Sequence, residues 1–141
     1  GRKLMRDHRD VFHLAIPAFD ADETIDFYVT KLGCKLARRY HDRVTLDFFG
    51  DQVVCHLVER PSTLPAVSDL KMYPRHFGVT FRESDDFDRL YRLAQERSIP
   101  FYADVQERFV GMIEVHRTFV LVDPAQNLLE FKHYTDHRMM Y

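Results

Sequence analysis

The sequence has little of several features that mark specialised classes of protein. Among its 141 residues are two cysteines, Cys34 and Cys55, five glycines and no tryptophan. Two cysteines are too few for a disulfide framework, and they lack the Cys-x-x-Cys spacing of redox or zinc motifs. The 20 Lys and Arg residues nearly balance 22 Asp and Glu residues, which indicates neither a nucleic-acid surface nor a polybasic membrane patch. Apolar runs are far shorter than the ~20 residues that cross a bilayer.

These absences favour a soluble globular domain. No charged-then-apolar leader opens the sequence, and we expect a cytoplasmic location. The eight histidines are the most informative feature that remains.

A weak internal repeat divides the chain into two similar halves. When the second half is laid on the first, the strand around His76 falls on the strand around His13, and an aspartate and a tyrosine of the following helix also coincide. Neither half has enough core to be stable alone, so the two are expected to pack together. We therefore predict a single domain, 1–141, built of modules 10–60 and 72–135.

Capping signals and periodicity predict the elements of each module. In the first, Asp20 and Glu23 form a capping-box start of a helix that ends at Gly33. In the second, Ser84 is the predicted N-cap. The predicted strands alternate apolar and polar residues, and they are Val11–Ile16, Lys35–His41, Arg43–Phe49, Gln52–Val58, Arg75–Phe81, Phe101–Val105, Ile113–Val122 and Asn127–His133. Each module is thus βαβββ, and the fold class is α+β.

Two histidines and one glutamate stand out as candidate metal ligands. His13 and His76 lie on the polar faces of equivalent strands, each two residues before a small residue, Ala15 or Gly78, which leaves room beside the imidazole. Glu130 lies in an apolar run, where an unpaired carboxylate is costly to bury, so it needs a cation, an arginine or an outward view. Two imidazoles and one carboxylate are the donors of non-haem Fe(II) sites, and zinc, nickel, cobalt and manganese accept the same set.

The other histidines carry weaker signals. His56, in the last strand of the first module, is a candidate to join the site. His116 shares its strand face with polar residues, which an exposed sheet surface explains. A lone strand histidine is more often a satisfied or exposed polar residue than a ligand, and Glu130 beside Lys132 also fits a solvent-facing position. The remaining histidines fall in a terminus, a turn or a polar tail, and they are His8, His41, His133 and His137.

Four motifs between Val11 and Tyr134 follow one another in order, and they are His13–Ile16, Ile25–Gly33, Arg75–Val79 and Val122–Phe131, the last with an Asp-Pro turn before a Glu-bearing strand. In these motifs the sequence resembles the vicinal oxygen chelate superfamily, which includes glyoxalase I, bleomycin-resistance proteins and extradiol dioxygenases. The resemblance implies two paired βαβββ modules whose curled mixed sheets surround a metal-binding cleft.

The resemblance also implies roles for the candidate residues. His13, His76 and Glu130 fall on three metal-ligand positions, and Glu130 is also the candidate proton base of an isomerase or lyase. His56 falls where glyoxalase I has a fourth ligand and where extradiol dioxygenases have an acid–base group, so both roles stay open. His116 is a further candidate for proton transfer.

Three functions are compatible with the resemblance. A dioxygenase-like enzyme with Fe(II), acting on a substrate with vicinal oxygens, is slightly favoured because imidazole-rich sites suit iron, although Val120 replaces a tyrosine usual in extradiol dioxygenases. A glyoxalase-like lyase or isomerase, of the lactoylglutathione-lyase type, is the alternative, against which Pro17 replaces an expected arginine. The third is a non-catalytic binding protein of the bleomycin-resistance type. For the enzymes we expect one divalent metal per site, a small-molecule substrate, a homodimer, and neither nucleic acid nor membrane as partner.

Overall fold

The structure is a computed structural model that describes residues 5–141, so the first four positions of the predicted domain lie outside the described residues. The chain divides into two compact units, the first ending at Glu59 and the second comprising Arg60–Tyr141. Each unit contains a βαβββ motif with one four-stranded mixed sheet. The predicted α+β fold class is confirmed.

The described part of the first unit, residues 5–59, contains four strands and one helix. Strand β1 is His13–Ala18, and it is followed by helix α1 (Ala21–Ile25), which continues as a π-helix over Asp26–Lys31. The remaining strands are β2 (Lys35–Arg39), β3 (Arg43–Phe48) and β4 (Asp51–Leu57). The sheet order is β1-β4-β3-β2, with β1 parallel to β4 and the other pairs antiparallel.

The second unit repeats this plan with a longer helix. Its elements are β5 (Phe77–Thr80), α2 (Ser84–Glu96), β6 (Phe101–Arg108), β7 (His116–Val122) and β8 (Leu128–Tyr134). The sheet order is β5-β8-β7-β6, with β5 parallel to β8. No helix in the described part of the chain is long and apolar enough to span a membrane.

The predicted helix signals are confirmed in the first unit and only partly in the second. Asp20 is the N-cap of α1, and its Oδ2 accepts a hydrogen bond from the Glu23 backbone N–H at 2.9 Å. Gly33 follows the π-helix in the left-handed conformation, with φ of 90°. The prediction for Ser84 was wrong: Ser84 is the first residue of α2, and the extended residue Glu83 is the N-cap.

A π-helical turn changes which residues of the first helix are buried. Regular helical spacing predicts one buried apolar stripe, formed by Ile25, Tyr28, Val29 and Leu32. The Leu32 backbone N–H instead donates to the Phe27 carbonyl, five residues earlier, at 2.9 Å. This wider turn rotates the side chains that follow, so Phe27 joins Tyr28 and Leu32 in the core, while Ile25 and Val29 are only partly buried.

Two hairpin connections differ from the predicted ones. The β3–β4 turn is formed by Phe49 and Gly50, whose φ angles of 53° and 98° match the type I′ turn that suits a two-residue hairpin. The predicted turn was one residue later. Residues 109–115 connect β6 to β7, so the predicted strand Ile113–Val122 begins only at His116.

The two faces of the second sheet have different chemistry because side chains alternate along each strand. One face carries Phe119 and Phe131, whose ring centres are 5.5 Å apart, and Phe87 of α2 packs on Phe119 at 5.1 Å. The opposite face carries Thr118 and Glu130, both buried. This second face holds the candidate site.

Candidate metal centre

His76 and Glu130 form a close pair on the polar face of the second sheet. The Nε2 atom of His76 lies 3.1 Å from Oε1 of Glu130, and the side chains are 25% and 8% exposed, respectively. Both residues line a cleft of about 220 Å³ between the ends of β5 and β8. The carboxylate of Glu130 is therefore almost fully buried, whereas the imidazole of His76 is partly exposed in the cleft.

A backbone hydrogen bond determines which nitrogen of His76 faces the carboxylate. Nδ1 lies 2.6 Å from the carbonyl oxygen of Met72. A carbonyl only accepts, so Nδ1 carries a hydrogen and donates it. In the neutral ring, Nε2 is then an acceptor that faces Oε1 of Glu130, a second acceptor. Such a contact is favourable only when a proton or a cation lies between the two atoms.

The other oxygen of Glu130 has a buried partner. The Oγ1 hydroxyl of Thr118 donates to Oε2 of Glu130 at 2.7 Å. The carboxylate thus has a hydroxyl on one oxygen and an imidazole on the other. In the structure these two partners take the place of the predicted cation, arginine or outward view. The burial of Glu130 rules out the solvent-facing alternative beside Lys132.

Gly78 allows β5 to approach the strand that carries Glu130. Gly78 lies directly opposite Glu130 in the parallel ladder. A Cβ atom built on Gly78 would overlap the backbone carbonyl oxygen of Glu130. The sequence predicts that this small residue leaves room beside the imidazole of His76. The structure shows that the room is taken by the backbone of the neighbouring strand.

The pair has the chemistry of a divalent metal site. Imidazole nitrogen and carboxylate oxygen bind zinc at about 2.0–2.2 Å, so two such ligands on one ion lie about 3.0 Å apart at a right angle and about 3.4 Å apart at the tetrahedral angle. The measured separation is 3.1 Å. A ligand histidine that donates its second N–H to a carbonyl is also the usual arrangement at metal sites. Among the residues that the structure describes, no three His, Cys, Asp or Glu side chains gather in one group.

In the first unit, taken by itself, His13 and His56 share one sheet face but lie well apart. His13 is paired with Gln52, whereas His56 is paired with Pro17, four residues further along the parallel ladder. At about 3.3 Å per residue, the two positions are separated by roughly 13 Å along the strands. Both residues are exposed.

The ladder also identifies the residue of the first unit that corresponds to Glu130. In the second unit, Glu130 lies opposite the residue two places after His76. In the first unit, the residue two places after His13 is Ala15, and its partner is Val54. A valine side chain has no atom that binds a metal. The histidine of β4 lies two residues further along and does not occupy the matching position.

His116 is buried, which corrects the expectation of an exposed strand residue. It is only 7% exposed, and its Nδ1 lies 2.9 Å from the carbonyl oxygen of Glu114. Its ring lies 4.5 Å from that of Tyr134 and 5.8 Å from that of Phe109. Since Tyr134 is four residues beyond Glu130 on β8, His116 lies roughly 13 Å from the pair along the sheet.

Two residues of this face were not predicted to take part in the site. Thr118 holds Glu130, and Lys132 lines the same cleft. The signal that could have found them is the alternation along β7 and β8, since residues two apart on a strand share a face. Which residue of β7 lies beside which residue of β8 depends on the register of the two strands, and the spacing of residues along the sequence does not determine that register.

Comparison with known proteins defines the class. The family model of the Glyoxalase/Bleomycin resistance protein/Dioxygenase superfamily matches residues 10–131. The chain belongs to this superfamily, and the resemblance noted in the sequence is confirmed. A comparison with curated proteins gives no match.

Solved structures share the fold over nearly the whole chain. A glyoxalase/bleomycin resistance protein/dioxygenase from Alicyclobacillus acidocaldarius is 65% identical over 97% of this chain and 100% of its own, with a TM-score of 0.88. A glyoxalase family protein from Enterococcus faecalis is 20% identical, covering 89% and 98%, with a TM-score of 0.65. The fosfomycin resistance protein FosX from Listeria monocytogenes is 12% identical, covering 94% and 98%, with a TM-score of 0.64. The last two likenesses show the fold alone.

Proposed function

We propose that this chain is a divalent-metal-dependent enzyme of the dioxygenase-like type, which acts on a small substrate through two neighbouring oxygen atoms. The observation that carries the proposal is the contact of His76 Nε2 with Glu130 Oε1 at 3.1 Å, made while Nδ1 is committed to a carbonyl. Two acceptors at this distance require a proton or a cation between them, and we propose that a divalent cation takes this place. Members of the superfamily typically bind a divalent metal, which supports the same conclusion.

His76 and Glu130 are the proposed ligands in the second unit, and His13 is retained as the proposed third ligand. The position on β4 that matches Glu130 is occupied by Val54, whose side chain cannot bind a metal. This supports a set of three protein ligands rather than four. Two histidines and one carboxylate leave coordination positions open for a chelating substrate. His56, which lies roughly 13 Å from His13 along the strands, is not part of this proposed ligand set, and Fe(II) is the proposed metal.

Hydrogen bonds from neighbouring residues orient the two proposed ligands, His76 and Glu130. The carbonyl of Met72 holds the Nδ1 hydrogen of His76, which keeps Nε2 directed at Glu130. Thr118 engages Oε2 of Glu130 and leaves Oε1 as the oxygen presented to the cleft. Burial of the carboxylate strengthens its attraction for a cation, because fewer water molecules screen it. The bound metal would supply Lewis-acid activation of the substrate oxygens and, as iron, redox chemistry.

Oxygen consumption tests the proposal. Protein loaded anaerobically with Fe(II) is mixed with a panel of catechols, and the same preparation is assayed for isomerisation of a hemithioacetal. We expect oxygen uptake by the wild type and by the control His133→Ala. The Nδ1 atom of His133 lies 3.1 Å from the Phe81 carbonyl oxygen, and the residue is not a proposed ligand. We expect no oxygen uptake from His76→Ala or Glu130→Gln.

The other outcomes assign the other functions. Isomerisation without oxygen uptake would identify a glyoxalase-like enzyme. Neither activity, together with no bound metal, would identify a binding protein. A homodimer is also proposed, and sedimentation of the purified protein tests it.

A further inference from the structure

The cleft that contains the His76–Glu130 pair has a second charged group, which the proposed function does not use. Lys132 lines the cleft and lies two residues beyond Glu130 on the same face of β8. Its Nζ lies 3.3 Å from the hydroxyl oxygen of Tyr134 and 5.3 Å from the centre of that ring. A phenol holds the ammonium group in place without neutralising its charge.

The neighbours of Lys132 across the sheet carry no negative charge. They are Thr80 on β5 and Thr118 on β7. The hydroxyl hydrogen of Thr118 is already donated to Glu130. Within residues 5–141, no carboxylate oxygen forms an ion pair with Lys132. Glu130 is the one carboxylate among the described residues that line this cleft, and it is proposed to bind the metal. The partly buried ammonium of Lys132 therefore has no opposite charge of its own, and a bound anion would supply one.

We propose that Lys132 is a substrate-anchoring residue that binds an oxyanion group, such as a carboxylate, of the substrate whose neighbouring oxygens reach the metal held by His76 and Glu130. This inference rests on the proposed function and adds the substrate class, a small organic acid with two neighbouring oxygens and a separate anionic group. Two residues along β8 correspond to about 7 Å. This spacing of the two backbone positions is about the length of one aromatic ring, which suits a substrate that carries the anion and the oxygen pair at opposite ends of a ring.

The charges and donors of the cleft match such a substrate. A divalent ion beside Glu130 leaves one net positive charge, and Lys132 adds another, so the cleft attracts an anion. The ammonium offers a charge-assisted hydrogen bond, which is stronger than a neutral one. Thr80, directly opposite Lys132, also lines the cleft and offers a hydroxyl donor.

A matched pair of probes tests this anchor. Protein loaded with Zn²⁺, which is redox-inert, is titrated calorimetrically with catechol and with 3,4-dihydroxybenzoate, which differ by one carboxylate. We expect the wild type to bind the acid about tenfold more tightly, as one charge-assisted contact provides. In Lys132→Met the ratio falls to near one, while catechol affinity and zinc content stay unchanged. Lys132→Arg restores most of the ratio, and the control Lys35→Met, an exposed lysine on β2, retains it.

The outcomes separate this inference from the proposed function. An equal ratio in the wild type and Lys132→Met overturns the anchor and leaves the metal site standing. If Zn²⁺ does not bind, the proposed function fails, and benzoate and benzyl alcohol are then titrated into metal-free protein. Benzoate binding that Lys132→Met abolishes supports the anion site, whereas binding that is equal in both proteins, or absent, overturns it.

Discussion

The Nε2 atom of His76 lies 3.1 Å from Oε1 of Glu130, while Nδ1 of the same ring is bonded to the Met72 carbonyl. This relationship joins a residue just before the first strand of the second unit to a residue on its last strand. The parallel ladder between β5 and β8 creates it, because Glu130 faces Gly78, two residues after His76. The proposed metal site and the proposed metal-chelating substrate both rest on this contact.

Removing the hydroxyl of Thr118 should weaken both the fold and the metal site. Thr118→Val keeps the shape of the side chain but leaves Oε2 of the buried Glu130 without its donor. We expect the free energy of unfolding of the metal-free protein to fall by about 1–3 kcal/mol. Zinc affinity should fall by roughly 10- to 100-fold, since such supporting contacts orient a ligand. Urea unfolding and competition with a chelator measure the two quantities.

Thr45→Val is the matched control for this variant. Thr45 is a buried threonine of the first unit whose hydroxyl donates to the Arg38 carbonyl at 3.2 Å. We expect a loss of about 1 kcal/mol in stability and unchanged zinc affinity. Equal effects of the two substitutions on zinc affinity would contradict a supporting role for Thr118.

Adding one methyl group at Gly78 should separate β5 from β8. In Gly78→Ala the new Cβ meets the backbone carbonyl of Glu130, which cannot move without breaking the ladder. We expect the free energy of unfolding to fall by about 1–3 kcal/mol or more, because overpacking a tightly packed position typically destabilises a protein by this amount. The corresponding change in the first unit, Ala15→Gly, should cost only about 0.5–1 kcal/mol. Thermal or urea unfolding compares them, and a Gly78→Ala protein as stable as the wild type would refute the close approach.

The thiol of Cys34 should make stability fall in alkaline solution. Burial, and then the charge of Asp47, raises the pKa of Cys34 from its ordinary 9.0 to about 12. Between these values the unfolded chain loses the proton and the native protein keeps it, so unfolding becomes easier as the pH rises. The stabilisation is complete below about pH 9 and is lost towards pH 12.

The slope of this loss is measurable by comparison with a variant that lacks the thiol. One thiol contributes at most about 1.4 kcal/mol for each pH unit within the window. Urea unfolding of the wild type and Cys34→Ala at pH 8, 9, 10 and 11 isolates the contribution from other groups that titrate there. Parallel stability curves for the two proteins would show that the thiol is not shielded.

Local signals predicted the elements of the fold well. The Asp20 cap, the Gly33 stop and the order of strands and helices are properties of short segments, and the structure confirms them. The π-helical turn after Phe27 was not predicted. It adds one residue to the turn, so the buried residues of the first helix differ from those that regular helical spacing selects. Ser84 has the chemistry of a cap, yet its backbone is already helical.

The sequence could indicate that Glu130 has partners, but not which residues those partners are. Glu130 in an apolar run indicated a partnered carboxylate, and the structure supplies His76 and Thr118 as those partners. Whether Val54 or His56 corresponds to Glu130 depends on how β1 pairs with β4, and such long-range pairing is not encoded in spacing along the chain. The metal roles of His13 and His56 therefore stay predictions.

Metal content tests the central claim most directly. The wild type, His76→Ala, Glu130→Gln, His13→Ala, His56→Ala and the control His133→Ala are loaded with Zn²⁺, dialysed and analysed by mass spectrometry. We expect about one zinc per chain in the wild type, His56→Ala and the control, and little in the other three, because a ligand set that has lost one member binds far more weakly. Undiminished zinc in both His76→Ala and Glu130→Gln would show that these two residues do not bind the metal.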